Sequence, residues 1–498
     1  MMLRRIPYRL LCTLTSVLLL CACSDSDGRD VDNQQNVGNI YVNFAISVTN
    51  GNSGMRDATP TGGENGDGRE AGFERENTIS GITVILYQDA TGINTTANPT
   101  LDLVRYFPVS ERAAGTTPIE VTYTTGQQPL GKHNLDLTKK YHAIVIANAP
   151  EVAASLTEGT SKLNDIRDVT LSTIYTGNPS YSADNITNFA MSSEKDNTID
   201  FSSVIVKNLD GTTPHTPGKD MYYDLTGKPV IIERLAARID FWSKNSNGYK
   251  TTYTIPGYEY DVTSSTDKFV VTGIVPFNLV NGIANYGNEY LLKRLRTNIV
   301  DPTTTSYLAD EISSTYVIDP KTMDKTDAAP PPKLTSSLED VYTLIGYDKV
   351  ENTTDNPYYH SIANMHASAS KSTIEDKENV VVAYPMENCL LPESKLYYHA
   401  TGIAIIGYYY VNGTGTGTRY VYLGYLRHQG DAESYDIQPY TTPLAKDATM
   451  GSTPAMKFGV VRNNIYRVSI NSIDKKGTLE LSIKVKKWDT FTHSWIYM

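Results

Sequence analysis

The sequence contains few of the residues on which disulfide and metal chemistry depends. Of its four cysteines, three lie at or before Cys23, and Cys389 is the only one further along. The chain beyond Cys23 therefore forms no internal disulfide and offers no zinc site built from cysteines. Among eight histidines, His360 and His366 are the only close pair, and they lack the carboxylate spacing of a metalloprotease helix. We expect no cofactor and no bound metal.

Motifs of the common catalytic classes are also missing. The sequence has no G-x-S-x-G elbow, no G-x-x-x-x-G-K-[ST] phosphate loop and no complete calcium loop. Its formal net charge is -11, and its densest cationic group is Lys293, Arg294 and Arg296. Because phosphate binding needs clustered lysine and arginine, nucleic acid is excluded as a partner. We expect a protein that is not an enzyme, although two carboxylates brought together from distant strands would leave no motif.

The abundant residues favour strands. The 498 residues include 35 Tyr against 10 Phe, and Thr, Asn, Gly and Val recur throughout. This mixture suits half-buried strands joined by polar turns rather than helices. The length exceeds what one core usually organises. The composition therefore predicts an all-β protein with minor α structure and two β-sandwich domains in series.

The first segment, MMLRRIPYRLLCTLTSVLLLCACSDSDGRD, has the order of a secretory leader. Arginines precede an apolar run that ends at Leu20 and is too short for a stable membrane helix. The sequence LCAC is similar to a bacterial lipobox, which makes Cys23 the expected lipidation site and 1–23 the signal peptide. The acidic SDSD resembles the tag that sends lipoproteins of Bacteroidetes-type bacteria to the outer face of the outer membrane. An ordinary signal peptide that contains cysteines by chance is the alternative.

The segment NIYVNFAISV predicts an amphipathic strand. Apolar side chains at every second position form one face, and they are Ile40, Val42, Phe44, Ile46 and Val48. The following stretch, TNGNSGMRDATPTGGENGDGREAGFEREN, has almost no large apolar side chains. It predicts an exposed, flexible loop of the kind that proteases cut first. This loop carries Arg56, Arg69 and Arg75.

The segment TLELSIKVKKW predicts a second amphipathic strand. One face holds Leu479, Leu481, Ile483 and Val485, and the other is charged or polar. Two partners are open to this strand: a groove in another copy of the chain, or the sheet of its own domain, as is common for terminal strands. From Trp488 onward the sequence is rich in aromatic side chains, which require an apolar groove.

Between these strands, apolar runs alternate with polar turns. The polar SKNSNGYKTT after Trp242 indicates a boundary between the two domains. Before it, KPVIIERLAARIDFW has the apolar density of a buried strand, but Arg234 and Arg238 fall on its apolar face, which suggests a bulge or a helical turn near Arg234. PEVAASLTEG predicts a short helix that starts at Pro150 and ends at Gly159.

Several of these segments together resemble the fimbrillin family, the type V pilus subunits of Bacteroidetes-type bacteria. Their order and spacing cover essentially the whole chain. The similar segments are the lipobox at Cys23, the first strand followed by VTNGNSGMRDATP, VIANAP, IIERLAARIDF, YPMEN, RNNIYRVSINSI and LSIKVKKW.

The resemblance implies a precursor that is processed at the cell surface. It would reach the outer membrane surface as a lipoprotein. There an arginine-specific protease would cut after Arg56 and make Asp57 the new amino terminus. Arg69 and Arg75 are fallback cleavage sites. The cut removes 24–56, and with it the lipid and the first strand. A sandwich that loses a strand exposes an apolar face and unpaired backbone groups, and an amphipathic strand from another chain restores both.

The resemblance also implies the architecture and the partners. Two tandem transthyretin-like, Greek-key sandwiches span 57–242 and 243–477, and the tail 478–498 supplies a donor strand to the next subunit. The donor residues are Leu479, Leu481, Ile483, Val485 and Trp488, and the open alternatives are insertion of ELSIKV, of the aromatic end or of both. Because head-to-tail insertion does not close, it builds a filament, the extracellular fimbrium. Expected partners are other copies, other fimbrial subunits, the protease, host or bacterial surface ligands and, before processing, the outer membrane.

A stalk subunit is the favoured interpretation, because the sequence has both an arginine in a flexible loop and a terminal strand. A fimbrial anchor lacks these two features, and a tip subunit needs a groove but no donor. A cell-surface glycan-binding lipoprotein is the alternative from another class, since tyrosine and tryptophan stack on sugars. Only three tryptophans are present, and they are not spaced like a sugar-binding cleft.

Overall fold

The structure, a computed structural model, describes residues 39–48, 69–71, 74–88, 98–111, 121–131, 133–169, 171, 175–176, 186–193, 197–277, 279, 360–363, 379–389, 400–426, 434–437 and 459–489. Within these ranges the chain is built mainly from strands, which confirms the predicted all-β class with minor α structure. Helix α1 (Pro150–Ser155) begins at the predicted proline and ends before Gly159. None of the helices in the described ranges has the length and apolar character needed to cross a membrane.

The remaining elements are strands and short 3₁₀ turns. The strands before residue 235 are β1 (Ile40–Val48), β2 (Arg69–Ala71), β3 (Gly81–Tyr87), β4 (Leu101–Pro108), β5 (Ser110–Glu111), β6 (Val121–Thr124), β7 (Gln128–Pro129), β8 (Lys140–Ala147), β9 (Met191–Ser193), β10 (Asn197–Asp200), β11 (Lys207–Asn208) and β12 (Met221–Arg234). The later strands are β13 (Arg238–Trp242), β14 (Tyr249–Lys250), β15 (Gly257–Asp261), β16 (Lys268–Phe277), β17 (His360–Ser361), β18 (Asn379–Ala383), β19 (Asn388–Cys389), β20 (Gly402–Tyr410), β21 (Thr418–Tyr425), β22 (Ser434–Ile437), β23 (Gly459–Val460), β24 (Asn464–Ile473) and β25 (Leu479–Asp489). The 3₁₀ turns are Glu74–Asn77, Leu163–Asp168, Phe201–Ser203 and Val411–Gly413.

The N-terminal sandwich is one sheet that folds back on itself. Its strand order is β4-β3-β8-β9-β12-β1-β6-β5, with β10 on β8, β11 on β12 and β7 on β1. Phe44 of β1 and Phe107 of β4 have ring centroids 5.4 Å apart, although several strands separate them in the sheet. Phe201 likewise contacts Tyr141 of β8 and Tyr223 of β12. These cross-contacts place the two halves of the sheet face to face around one core.

The C-terminal sandwich has two separate sheets. One has the order β18-β13-β24-β25-β2 with β22 on β25, and the other has the order β14-β15-β16-β20-β21 with β17 on β16. Phe241, Val468 and Leu481 from the first sheet share a core with Phe269 and Tyr422 from the second. Phe269 and Tyr422 pack edge to face, with centroids 5.6 Å apart.

The chain passes from one sandwich to the other at residues 235–237. β12 ends at Arg234 in the N-terminal sheet, and β13 begins at Arg238 in the C-terminal sandwich, between β18 and β24. The change of sandwich thus comes before the boundary predicted after Trp242. The run KPVIIERLAARIDFW contains two strands from different sheets, and a continuous apolar run does not show where one strand gives way to the next.

Candidate functional site

Strand β1 lies inside its sheet and has hydrogen-bonded neighbours on both edges. On one edge it runs parallel to β12, from Ile40 opposite Met221 to Val48 opposite Ile232. On the other edge it is antiparallel to β6 and β7. Taking β1 away would leave a slot with unpaired backbone groups on both sides.

The inner face of β1 fills part of the N-terminal core. The side chains of this face are buried, apart from the half-buried first one, and they are Ile40, Val42, Phe44, Ile46 and Val48. Four buried apolar side chains contribute about 6 to 12 kcal/mol in total, at roughly 1.5 to 3 kcal/mol each, before ordering costs are subtracted. The slot would therefore expose an apolar floor as well as unpaired backbone.

The middle of β1 is fixed by side-chain hydrogen bonds where its pairing with β12 shifts register, between Phe44 and Ile46. The Phe44 N–H donates to Thr125 Oγ1 at 3.0 Å, and the Thr125 N–H donates to the Phe44 carbonyl at 3.0 Å. Asn43 Nδ2 donates to the Tyr222 hydroxyl at 3.2 Å. Burial raises the pKa of Tyr222, so this hydroxyl stays neutral. A strand that replaces β1 has to accommodate the same shift.

Only some of the residues predicted to take part in processing are among those that the structure describes. Cys23, Arg56 and Asp57 are outside the residues that the structure describes. Arg69 is the first residue of β2, and Arg75 is part of the 3₁₀ turn that follows. The two fallback arginines thus both belong to elements of secondary structure.

Strand β25 completes the sheet of its own sandwich. It pairs antiparallel with β24 from Leu479 to Lys487, and its other edge is covered by β22 and β2. The predicted donor side chains that are buried in this core are Leu479, Leu481 and Ile483. Val485 and Trp488 continue the same strand. Of the two partners open to this segment, the structure shows the sheet of its own domain, and the donor role remains a prediction.

The turn before β25 carries a sequence signal for this pairing. Asp474 Oδ1 accepts hydrogen bonds from the N–H groups of Lys476 and Thr478, both at 2.8 Å. Gly477 adopts a left-handed conformation with φ of 78°. An Asp and a Gly that close a short turn between two alternating runs are typical of a β-hairpin. The sequence DKKG could therefore have shown that β24 and β25 pair.

A buried group of charges, which the sequence analysis did not predict, joins the two sandwiches. The Arg238 guanidinium donates two hydrogen bonds to the Asp240 carboxylate, at 2.9 and 2.8 Å. Its Nη1 also donates to Glu76 Oε2 at 3.2 Å. The Tyr384 hydroxyl donates to the other Glu76 oxygen. These four residues are at most 2% exposed, so the charge of Arg238 is compensated by the two carboxylates and not by solvent.

Arg234 links the turn that contains Glu76 to the residue before β24. Its Nε donates to the Glu76 carbonyl at 3.1 Å, its Nη1 to Asn463 Oδ1 at 3.0 Å and its Nη2 to Asn77 Oδ1. Asn463 directly precedes β24 of the C-terminal sandwich. The turn that contains Glu76 and Asn77 is therefore anchored to the end of β12, the start of β13 and the start of β24.

A neighbouring ion pair is built in the same way. Arg462 Nε donates to Glu387 Oε2 at 3.1 Å and lies 3.8 Å from Glu233 Oε1. Arg462 Nη1 donates to Ser192 Oγ of β9 at 3.4 Å. Both ion pairs bridge the N-terminal sheet and the C-terminal sandwich. The sequence hint was the presence of arginines inside apolar runs, because buried arginines require partners.

The arrangement combines two structural features. They are the internal strand β1, held by sheet pairing, core burial and side-chain hydrogen bonds, and the buried charged junction between the two sandwiches. In the described ranges, no group of three or more His, Cys, Asp and Glu side chains is placed to hold a metal ion.

We expect Glu76→Ala to lower the free energy of unfolding by about 3 to 5 kcal/mol, because it leaves the Arg238 guanidinium short of a buried partner. Urea denaturation of the purified chain measures the change. Lys139→Ala is the matched control, since it breaks an exposed ion pair with Asp136 and should cost less than about 1 kcal/mol. Equal losses in the two variants would contradict the assigned role of the buried group.

No protein-family model matches the chain, and no curated protein matches its sequence. Solved structures do align with it. The tip fimbrial protein Mfa3 from Porphyromonas gingivalis aligns at 11% identity over 90% of this chain and 100% of its own, with a TM-score of 0.37. A fimbrilin, FimA, from the same organism aligns at 12% identity over 92% of this chain and 99% of its own, with a TM-score of 0.33. A fimbrial assembly protein from Parabacteroides distasonis aligns at 11% identity over 89% of this chain and 98% of its own, with a TM-score of 0.33. TM-scores of this size do not establish a common fold, so the function proposed below rests on the contacts of this chain.

Proposed function

We propose that the chain is a non-catalytic structural subunit of a fimbrium, assembled head to tail by strand exchange after proteolysis. The supporting observation is the position of β1. It is an internal strand of the N-terminal sandwich, and its covalent link to the rest of that sandwich runs through residues 49–68. That link contains Arg56.

A cut at Arg56 converts β1 into a peptide held by noncovalent contacts alone. When this peptide leaves, the slot between β12 and β6 has unpaired backbone on both edges and the apolar floor described above. The exposed apolar floor is unfavourable in water, and the unpaired edges are templates for pairing with another chain. An amphipathic strand from another subunit removes both at once by β-addition.

Arg56 suits processing better than the other two arginines. Cleavage requires backbone that is free of secondary-structure hydrogen bonds. Arg69 lies in β2, which is paired with β25. Arg75 directly precedes the fully buried Glu76, so a cut there would place a new charged amino terminus beside the buried charges at the sandwich junction. Asp57 is accordingly the proposed amino terminus of the processed subunit.

The donor segment is proposed from the match between strand patterns. The inner face of β1 presents aliphatic side chains with one phenylalanine, and β25 presents Leu479, Leu481, Ile483 and Val485 at the same spacing of two. Trp488 follows at the end of that segment. Donation by β25 requires its withdrawal from its own sheet, so strand exchange replaces one complete set of pairings by another.

The location of β25 favours a second candidate as well. If β25 stays in the core of its own sandwich, the subunit has a groove to receive a strand and no β25 to give. Such a subunit ends a filament, which is the position of a fimbrial tip. Stalk and tip roles therefore differ in whether β25 leaves its sheet.

The precursor is proposed to reach the cell surface as a lipoprotein. Lipidation at Cys23 would hold the precursor on the outer membrane surface until the cut separates the lipid from the sandwiches. The processed subunit then belongs to the extracellular fimbrium, with other copies and other fimbrial subunits as its partners. Host or bacterial surface ligands are further partners of a fimbrium of this kind.

We expect limited digestion with an arginine-specific protease to cut the purified chain, without its signal peptide, once after Arg56 and to produce ladders of subunits. Intact mass and a non-reducing gel measure the cut and the ladders. An Arg56→Lys chain keeps the charge but resists the protease, so it should stay monomeric.

A synthetic peptide of residues 39–48 should suppress the ladders, because it competes for the slot. The same peptide with Phe44→Asp is the matched control and should have no effect, since a charge at this buried position is unfavourable. A cut chain that stays monomeric would count against a stalk subunit, and ladders insensitive to the first peptide would contradict assembly through the β1 slot.

A disulfide between β24 and β25 should separate the stalk and tip roles. Ser469 and Ser482 are opposite each other in the two strands, and opposite Cα atoms in an antiparallel pair lie at a distance that a disulfide spans. In a Cys389→Ser background, we expect the oxidised Ser469→Cys and Ser482→Cys double variant to be cut normally but to form no ladders until a reductant is added. Ladders that form equally well from the oxidised chain would show that β25 is not the donor.

A further inference from the structure

We infer that strand β2 is a clasp that restrains the end of β25, so that a single segment connects the processing site to the terminal strand. β2 runs parallel to β25 and covers the last part of its outer edge. The backbone pairs are Arg69 with Lys487, Glu70 with Trp488 and Ala71 with Asp489. Further up the same edge, β25 is covered by β22.

The clasp is held by its tethers more than by its own pairing. Three residues of parallel pairing at a sheet edge are marginal on their own. On its downstream side, β2 is two residues from the turn Glu74–Asn77, whose Glu76 is fixed in the buried charged group. On its upstream side, residues 49–68 connect it to β1, which is fixed in the N-terminal sheet. Both tethers raise the local concentration of β2 at the edge of β25.

This connection gives proteolysis a second effect. A cut at Arg56 opens the slot of β1, and it also removes the upstream tether of β2. With one tether left, β2 dissociates more readily, and the edge of β25 between Lys487 and Asp489 becomes available. The precursor is thus restrained at both places by one chain segment, and one cut relaxes both. The biological meaning of this coupling rests on the proposed function, whereas the restraint itself does not.

Two proline variants test the clasp in the uncut chain. Successive N–H groups of a strand point to opposite sides. Of the variants Glu70→Pro and Ala71→Pro, one therefore removes an N–H that faces β25, and the other removes an N–H that faces away from it. Proline is tolerated on an edge strand where its N–H faces solvent, which makes the second variant a matched control for the first. Hydrogen exchange followed by mass spectrometry reports on the amides of residues 484–489.

We expect one of the two proline variants to raise exchange of these amides by about tenfold or more, the effect of losing one or two hydrogen bonds, and the other to leave it near the wild-type rate. Wild-type chain cut at Arg56 should show faster exchange of the same amides than uncut chain. Unchanged exchange in both proline variants would overturn the clasp, and unchanged exchange after the cut would overturn its link to processing. Faster exchange without ladders from any cut chain would support the clasp and count against the proposed assembly.

Discussion

The N-terminal sandwich depends on having a strand between β12 and β6. β1 is bonded on both edges and supplies one wall of the core, so its loss opens that part of the sheet. A strand at a sheet edge could be lost with one row of unpaired groups, whereas an internal strand leaves two rows and an open core. The slot therefore has to be filled, and a strand of suitable pattern from any chain satisfies the same requirement.

The charged junction lies close in sequence to the proposed processing site. Glu76 follows Arg56 by 20 residues and is fixed to Arg238 and Tyr384, and Arg234 binds its carbonyl. These contacts lie downstream of Arg56 and remain after the cut. Since a buried charge that loses its partner is strongly unfavourable, the two sandwiches keep their contacts while a strand leaves one of them. In the proposed filament, the same contacts would hold the two sandwiches of each subunit together.

The elements with a clear local period were predictable, and those that depend on distant partners were not. β1 alternates almost without exception, so its existence and inner face follow from the sequence, whereas the burial of Ala45 and Ser47 on the other face does not. The same alternation in β25 identified a strand but not its partner, because the period of two is identical for both partners, and only the turn at Asp474 distinguishes them. Arg238 has one partner close in sequence, Asp240 two residues along the same strand, and another, Glu76, that is 162 residues away. Sequence patterns of short range cannot show such a pair.

The direction of the proposed assembly follows from what strand exchange does and does not change. When β25 leaves its sheet for the slot of a neighbour, its apolar side chains go from one core to another, and its backbone exchanges one pair of neighbours for another. The two sets of contacts are of the same kind, so this step by itself provides little net driving force. The difference is the slot, which is filled by β1 in the precursor and empty once the cut peptide has left. The cut at Arg56 is therefore the proposed step that decides when assembly begins, because the slot is filled by β1 until that cut is made.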